Sequence, residues 1–159
     1  DISTKVLGTS FKIGPGLKDR KDIEVAVLSG KVMVQYNDVK SSETAITLTQ
    51  NQKAVYKYQN KNFELGIIQT PQLIVHDRAD AKVESFIFKG TPLLDVLQCI
   101  ENAYGIHIEL KNTHLLDCPF TADLSEEQLY TKLDIIGASV GAEYMVDGNQ
   151  ILFSGGRCE

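Results

Sequence analysis

The sequence predicts an all-β N-terminal domain over residues 1–82, followed by an α+β domain over residues 83–159 that contains two strand-helix-strand repeats. The first part has alternating or β-branched runs and no segment in which apolar residues recur at helical spacing. The second part has two segments with helical spacing, and strand-like runs flank each of them. The landmarks of these two units fall at nearly the same offsets, which indicates an internal repeat.

The N-terminal strands are predicted from runs rich in β-branched and aromatic residues. These runs are Lys5 to Ile13, Ile23 to Leu28, Lys31 to Tyr36, Ala45 to Leu48, Ala54 to Tyr58, Phe63 to Ile68 and Gln72 to Val75. Ser29-Gly30 predicts a tight turn between the second and third runs, and Gly14-Pro15-Gly16 opens a polar loop. We expect a polar hinge at Asp77 to Lys82, where the two domains meet.

Both helices of the repeat have a predicted start. Thr91 and Pro92 begin the first helix, because the threonine hydroxyl can accept from amides of the first turn and proline suits the first helical position. Ser125 begins the second helix, where it forms a capping box with Gln128 three residues later. The acidic residues between them complement the positive end of the helix, so capping explains them better than acid-base chemistry does.

Glycines predict where the helices end. Gly105 and Gly141 follow the last apolar turns, where a residue with positive φ is favoured. The predicted buried stripes are Leu93, Val96, Leu97, Ile100 and Tyr104, then Leu129, Leu133, Ile136 and Val140. The predicted strands are Glu84 to Lys89, Ile106 to Leu110, Cys118 to Asp123, Glu143 to Val146 and Gln150 to Phe153, with Asp147-Gly148 as the last turn. One small sheet carrying two helices is expected.

Composition argues against several classes of protein. The 159 residues are 43% hydrophobic and 23% charged, which is ordinary for a folded chain. The net charge is −5 and cations are not concentrated along any segment, so we expect no nucleic-acid partner. The sequence has no apolar run of transmembrane length and no signal-peptide pattern. If the natural protein is exported, we expect this chain to be a mature or truncated portion of it.

The three cysteines allow more than one pairing. Cys99 lies beside the first apolar stripe, where a cysteine is often a small buried hydrophobe. Cys118 begins one predicted strand and Cys158 follows another that we expect in the same sheet, so these two are the disulfide candidates. Two reduced thiols and a Cys99–Cys118 pair are the alternatives.

The sequence contains no pattern that indicates catalysis or cofactor binding. His107, His114 and Cys118 carry zinc-ligating atoms, but their spacing matches no standard zinc site. The run from Gly14 to Lys18 lacks the spacing and the following helix of a phosphate-binding loop. We therefore predict no catalytic residue, no cofactor and no metal, and a binding protein rather than an enzyme.

Most of the chain resembles one family of regulators. Three runs of the first half, Val6 to Phe11, Val25 to Val32 and Leu48 to Tyr56, resemble the β domain of FecR-type anti-sigma regulators. The second half is similar to the C-terminal domain of such regulators in Bacteroidetes. The matching runs are Phe86 to Leu93, Tyr104-Gly105, Phe120 to Ser125 and the Gly155-Gly156-Arg157-Cys158 tail. One departure is Thr49 to Gln52, where the family often has a Pro-Gly turn followed by Glu-Gln.

The resemblance implies a periplasmic sensor region of a single-pass inner-membrane protein. Its cytoplasmic sigma-binding segment and its membrane helix would both lie outside this chain. Such regulators relay the state of an outer-membrane TonB-dependent transporter to an extracytoplasmic-function sigma factor, through contact with the periplasmic signalling domain of the transporter. The second domain is similar to secretin and TonB short N-terminal domains. An extracellular carbohydrate-binding β module or an envelope adaptor domain is the alternative.

A small mixed sheet leaves an edge that can accept a strand from a partner. We expect this edge at the final hairpin, Glu143 to Phe153, with Tyr144, Gln150 and Leu152 as contact residues; internal packing is their alternative role. The periplasmic location that the resemblance implies also favours an oxidised Cys118–Cys158 pair, with Cys99 outside it.

Overall fold

The computed structural model describes residues 2–37, 44–75 and 85–158. Among these described residues the structure is mostly β, with 51% in strands and 19% in helices. Two compact units are present, residues 1–69 and residues 70–159. The predicted hinge at Asp77 to Lys82 and the predicted boundary between residues 82 and 83 lie outside the described residues.

The first unit is one five-stranded antiparallel sheet built around a long central strand. Its strands are β1 (Ile2–Pro15), β2 (Ile23–Tyr36), β3 (Thr44–Thr49), β4 (Gln52–Lys57) and β5 (Asn62–Ile67). One side of β2 pairs with β1, while the other side pairs first with β4 and then with β3. Strand β5 pairs with β4. The long strand β2 therefore holds most of the sheet together.

The predicted turn at Ser29-Gly30 is wrong, because both residues lie inside β2. Gly30 has a φ of 77°, and the pairing of β1 with β2 shifts register beside it. A Cβ atom at Gly30 would lie 2.2 Å from Cγ2 of Thr9, so a side chain is excluded by contact as well as by φ. A glycine inside a strand often accompanies a bulge. The Ser29-Gly30 pair therefore indicates an irregularity within β2 and not a turn between two strands.

The bulge changes which residues of β2 face the core. Val25 and Val27 are buried before it, and Val32 and Val34 are buried after it. Side chains alternate along a strand, so an odd-numbered pair and an even-numbered pair share one face only if an extra residue lies between them. The pairing with β1 supplies this extra residue at Leu28, because Val27 lies opposite Phe11 and Ser29 lies opposite Ser10. Both valine pairs therefore share a single core.

A partly buried ion pair closes the polar loop between β1 and β2. One carboxylate oxygen of Asp22 accepts from Nζ of Lys57 at 2.8 Å, and the other accepts from the amide of Tyr58 at 3.2 Å. The hydrogen bond from Lys57 lowers the pKa of Asp22 below its ordinary value. This ion pair attaches the loop to the end of β4.

The second unit contains the two strand-helix-strand segments and one further strand. Its elements are β6 (Ile87–Pro92), α1 (Leu93–Tyr104), β7 (His107–Leu110), a 3₁₀ turn (Thr113–Leu115), β8 (Pro119–Asp123), α2 (Leu129–Val140), β9 (Ala142–Asp147) and β10 (Gln150–Gly155). Strands β6 and β8 pair with each other, while β10 lies between β7 and β9. Within the described ranges these strands form two sheets, not the single sheet expected. Periodicity marks strands but does not show which of them will pair.

Two other local predictions are wrong in this unit. Residues 72–75 form no strand, and the amide of Ile74 instead donates to the carbonyl of Ala103 at 2.8 Å. The last turn consists of Gly148 and Asn149, because Asp147 is still the final residue of β9.

Helix α1 begins differently from the prediction. Pro92 is its N-cap, without a side-chain hydrogen bond, and the hydroxyl of Thr91 accepts the amide of Lys89. The first amide of the helix, from Leu93, donates to the carbonyl of Cys118 at 2.9 Å. The main chain at Cys118 thus accepts a helix amide of the kind that the Thr91 hydroxyl was predicted to accept.

Helix α2 also lacks the predicted capping box. The helix begins at Leu129, with Gln128 as N-cap, and Ser125 lies in the preceding turn. The amide and hydroxyl of Ser125 both donate to one oxygen of Asp123, at 3.0 and 2.6 Å. Aspartate competes well for such local hydrogen bonds, which is why the serine does not cap the helix.

The predicted ends of both helices are confirmed. Gly105 and Gly141 are the C-caps, with φ of 66° and 62°, and their amides donate to Glu101 and Gly137. This left-handed conformation favours glycine, because a Cβ atom would be strained there.

Helix α2 also buries a lysine that the apolar stripe did not reveal. Lys132 is 1% exposed, with Nζ 4.3 Å from the ring centre of Phe86 and within hydrogen-bonding reach of the carbonyl of Glu127. Burial lowers the pKa of Lys132 below its ordinary value. The aromatic face and the carbonyl together compensate for removing the ammonium group from water.

Candidate partner-binding edge

Strand β9 lies at one edge of the three-stranded sheet, in which the order is β7, β10, β9. Gln150 and Leu152 belong to the central strand β10, which pairs with a neighbour on each side. The expectation that these two residues lie on a sheet edge is therefore wrong. The hairpin pattern could not reveal this, because the parallel pairing of β10 with the distant β7 decides it. Tyr144 does lie on the edge strand.

The three predicted contact residues differ in their exposure. Leu152 is only 8% exposed, and Gln150 is half-buried. Tyr144 is half-buried as well, with its hydroxyl donating to the carbonyl of Tyr130 at 3.4 Å and its ring 5.5 Å from that of Phe153. Tyr144 and Leu152 thus make internal contacts, and neither offers much surface to a partner.

The side chains of β9 divide between two faces. Tyr144 faces α2, because its hydroxyl reaches a carbonyl of that helix. Alternation along the strand then places Glu143, Met145 and Asp147 on the opposite face. Met145 is 59% exposed, and Val146 is 42% exposed. Sequence reasoning named neither of these two as a contact residue, although each is a large apolar side chain on an outer strand.

A groove runs between β9 and α2. It has a volume of about 460 Å³ and is lined by Leu133, Asp134 and Gly137 of the helix and by residues 142–146 of the strand. A Cβ atom at Gly137 would lie 2.7 Å from the carbonyl oxygen of Ala142, so the absence of a side chain lets the helix approach the strand closely. The outer main chain of β9 forms one wall of this groove.

The opposite edge of the same sheet is blocked. The amide of Ile108 on β7 donates to the carboxylate of Glu101, which also lies 2.9 Å from Nδ1 of His107. Since the side chain of an α1 residue already occupies this edge amide, a new strand would have to displace it. Strand β7 is also only four residues long.

Burial and the neighbouring carboxylate of Asp134 both raise the pKa of Tyr144. Burial, a hydrogen bond to Asp134 and the negative charge of that carboxylate raise the pKa of Tyr144 to about 12. The neutral phenol is thus favoured in the folded protein. Tyr144 contributes stability that is fully present below the ordinary tyrosine pKa of about 10 and is lost as the pH rises through the higher folded value.

We predict that Asp134→Asn will lower the pKa of Tyr144 without restoring it to the ordinary value, because burial remains. The ultraviolet absorbance of tyrosinate, followed during an alkaline titration, measures this change. Tyr144→Phe identifies the relevant transition by removing it. A titration curve that is identical in Asp134→Asn and the parent chain would contradict the assigned contact.

Two of the three cysteines join the two sheets of the second unit. Cys118 and Cys158 form a disulfide with Cα atoms 5.7 Å apart. Cys118 precedes β8 in one sheet and Cys158 follows β10 in the other, so the expectation that they flank strands of a single sheet is wrong. Cys99 lies outside the disulfide, with Sγ 3.6 Å from the carbonyl oxygen of Ser85.

The described residues do not bring potential metal ligands together into a site. Across residues 2–37, 44–75 and 85–158, histidine, cysteine and acidic side chains form no group of three or more that could hold a metal ion. In the same ranges, none of the helices combines the length and the apolar character needed to cross a membrane.

Comparison with known proteins identifies the second unit. Residues 85–153 match the FecR C-terminal domain. No curated protein matches the chain significantly. Two crystal structures of a candidate anti-sigma factor from Parabacteroides distasonis ATCC 8503, at 1.65 and 2.50 Å resolution, are similar to this chain. Each is 22% identical over 98% of this chain and 68% of the other, with a TM-score of 0.43. The match over residues 85–153, which include both helices and all of β9, shows that this part of the chain is similar to the FecR C-terminal domain.

Proposed function

We propose that this chain is the periplasmic sensor region of a transmembrane anti-sigma regulator. In this proposal it relays the state of an outer-membrane TonB-dependent transporter to an extracytoplasmic-function sigma factor by protein-protein contact. The FecR C-terminal domain at residues 85–153 is the observation that carries the proposal. The periplasmic signalling domain of the transporter is the proposed direct partner. The sigma factor would be reached through a cytoplasmic segment and a membrane helix outside this chain.

The relay requires a binding surface rather than a catalytic centre, and the edge of β9 supports such a surface. An outer strand can accept a partner strand through main-chain hydrogen bonds, while pockets beside it recognise alternate side chains. Strand β9 has an apolar side chain exposed on each face, Met145 and Val146, and the groove beside it is open. We therefore propose that the domain from Val83 onward carries the main contact, and that the β domain acts as a spacer or secondary contact.

The proposal predicts that the full chain binds the signalling domain of a TonB-dependent transporter encoded beside it, as measured by isothermal titration calorimetry. Met145→Lys should weaken this binding at least about tenfold, equivalent to about 1.4 kcal/mol, because a charge would replace an apolar contact on the edge. Ile87→Lys is the matched control, since Ile87 is 53% exposed on a strand of the other sheet. It should leave the affinity unchanged.

Other outcomes would reject the proposed function. If the chain bound no signalling domain from neighbouring transporters but bound glycans, the alternative of a carbohydrate-binding module would be favoured. If Ile87→Lys weakened binding and Met145→Lys did not, the contact would lie away from β9.

A further inference from the structure

We infer that the outer edge of β9 selects an extended partner strand in which two basic residues flank an apolar residue at alternate positions. This inference rests on the proposed function and specifies the chemistry of the partner segment. Written along the partner strand, the pattern is basic, any residue, apolar, any residue, basic.

The first step concerns which edge of the unit can accept a strand. Strand β9 pairs with β10 over six consecutive residues without a register shift. The pairing of β6 with β8, in contrast, shifts register between Phe88 and Thr91, and the amide of Ile108 on β7 is already bonded to Glu101. Irregularities and blocked amides discourage strand addition, whereas a regular strand favours it. Among these strands, β9 therefore offers the most regular template.

The second step concerns the face of β9 turned away from α2. Along it lie Glu143, Met145 and Asp147, all three exposed. Directly opposed residues of neighbouring strands have Cβ atoms about 4.5–5.5 Å apart, and opposite charges at such positions stabilise the pairing. A partner strand would therefore place basic residues against the two carboxylates and an apolar residue against Met145. The pattern is symmetric about its apolar centre, so it holds for parallel and antiparallel addition.

The third step concerns the side of the edge that faces α2. Here the added strand would meet Tyr144, Val146 and the carboxylate of Asp134. Asp134 is the acidic side chain that α2 contributes to this groove, and the residues that line the groove include neither lysine nor arginine. Lys132 of the same helix does not compete, because it is buried beside Phe86. Both sides of the edge therefore favour a partner that carries positive charge.

The same arrangement disfavours a second copy of this chain as the occupant. If two β9 strands paired antiparallel about Met145, Glu143 of each copy would oppose Asp147 of the other. Like charges directly opposite each other destabilise strand pairing. The acidic residues thus protect the edge from self-association while leaving it open to a basic strand.

The inference is tested by nuclear magnetic resonance, in which the full chain is titrated with two synthetic peptides. Both peptides carry leucine at the centre, threonine at the intervening positions, and either lysine or glutamate at the two flanking positions. We expect the lysine peptide to shift the amide signals of residues 142–147 and to bind at least about tenfold more tightly than the glutamate peptide. The preference should decrease as salt is added, because these charges are exposed to solvent.

The double variant Glu143→Lys/Asp147→Lys should reverse the preference in favour of the glutamate peptide. The matched control is Glu109→Lys/Asp117→Lys, which makes the same change in net charge at two exposed carboxylates outside β9. It should keep the parent preference. If the glutamate peptide bound as well as the lysine peptide, if the shifted signals lay outside β9, or if the double variant kept the parent preference, the inference would be wrong.

The experiment also separates this inference from the proposed relay. If a transporter signalling domain bound the parent and Glu143→Lys/Asp147→Lys equally well, the relay would stand and the basic-strand inference would be overturned. If the peptides showed the expected preference but no signalling domain bound, the relay would be rejected and the strand preference supported.

Discussion

Phe153→Ala is expected to lower the free energy of unfolding of the second unit by about 3–5 kcal/mol, the usual range for truncating a buried phenylalanine. Phe153 is 1% exposed on the central strand β10, and its ring packs against that of Tyr144. It also lies against α2, because a Cβ atom at Gly137 would be 3.5 Å from its ring. The substitution would therefore leave a cavity where the helix, the central strand and the edge strand meet.

Urea unfolding followed by circular dichroism measures this loss. Met145→Ala is the matched control on the neighbouring strand, and it should change the free energy of unfolding by no more than about 0.5 kcal/mol, because Met145 is largely exposed. Equal losses in the two variants would show that Phe153 is not the packing centre of this sheet. Phe153→Leu should recover part of the stability, since it refills much of the cavity.

Replacing both bonded cysteines, as Cys118→Ser/Cys158→Ser, is expected to lower the free energy of unfolding by about 2–4 kcal/mol. The disulfide closes a loop between residues 40 positions apart, which includes α2, β9 and β10. Without the bond the unfolded chain gains conformational freedom, so the folded state is favoured less. The bond also ties the segment after β10 to β8, which belongs to the other sheet.

Denaturant unfolding of the parent chain, with and without reducing agent, should reproduce this difference. Cys99→Ser is the control, because Cys99 lies outside the disulfide. Intact mass measured without reduction should be lower than that of the fully reduced chain by two hydrogen atoms. Three thiols in protein prepared from an oxidising compartment, or a double variant as stable as the parent, would contradict the prediction.

The helices could be predicted from sequence because their signals are local. Every apolar residue assigned to the two stripes, from Leu93 to Tyr104 and from Leu129 to Val140, is buried. A helix buries the residues that recur on one of its faces, and neighbours three and four positions apart define that face. The helix ends at Gly105 and Gly141 were equally local, since they depend on the conformation of one residue.

The helix starts were predicted less well because several acceptors compete for the same amides. Thr91 and Ser125 both have the chemistry of a cap, but neither caps its helix. The carbonyl of Cys118 takes the first amide of α1, and Asp123 takes the hydrogen bonds of Ser125. The first of these acceptors becomes available only when a distant segment folds beside the helix.

By itself, the sequence determined the presence of the two helices and where they end, the β-rich character of the chain and its resemblance to FecR proteins, confirmed over residues 85–153. Only the tertiary structure decided that Gly30 forms a bulge, that Lys132 is buried, and that β10 is central while β9 is the edge. Strand order and burial depend on contacts between residues far apart in the chain, and periodicity carries no record of which distant strands will meet. The edge of β9, with the carboxylates of Glu143 and Asp147, is therefore a candidate surface only because β10 pairs with β7 on its other side.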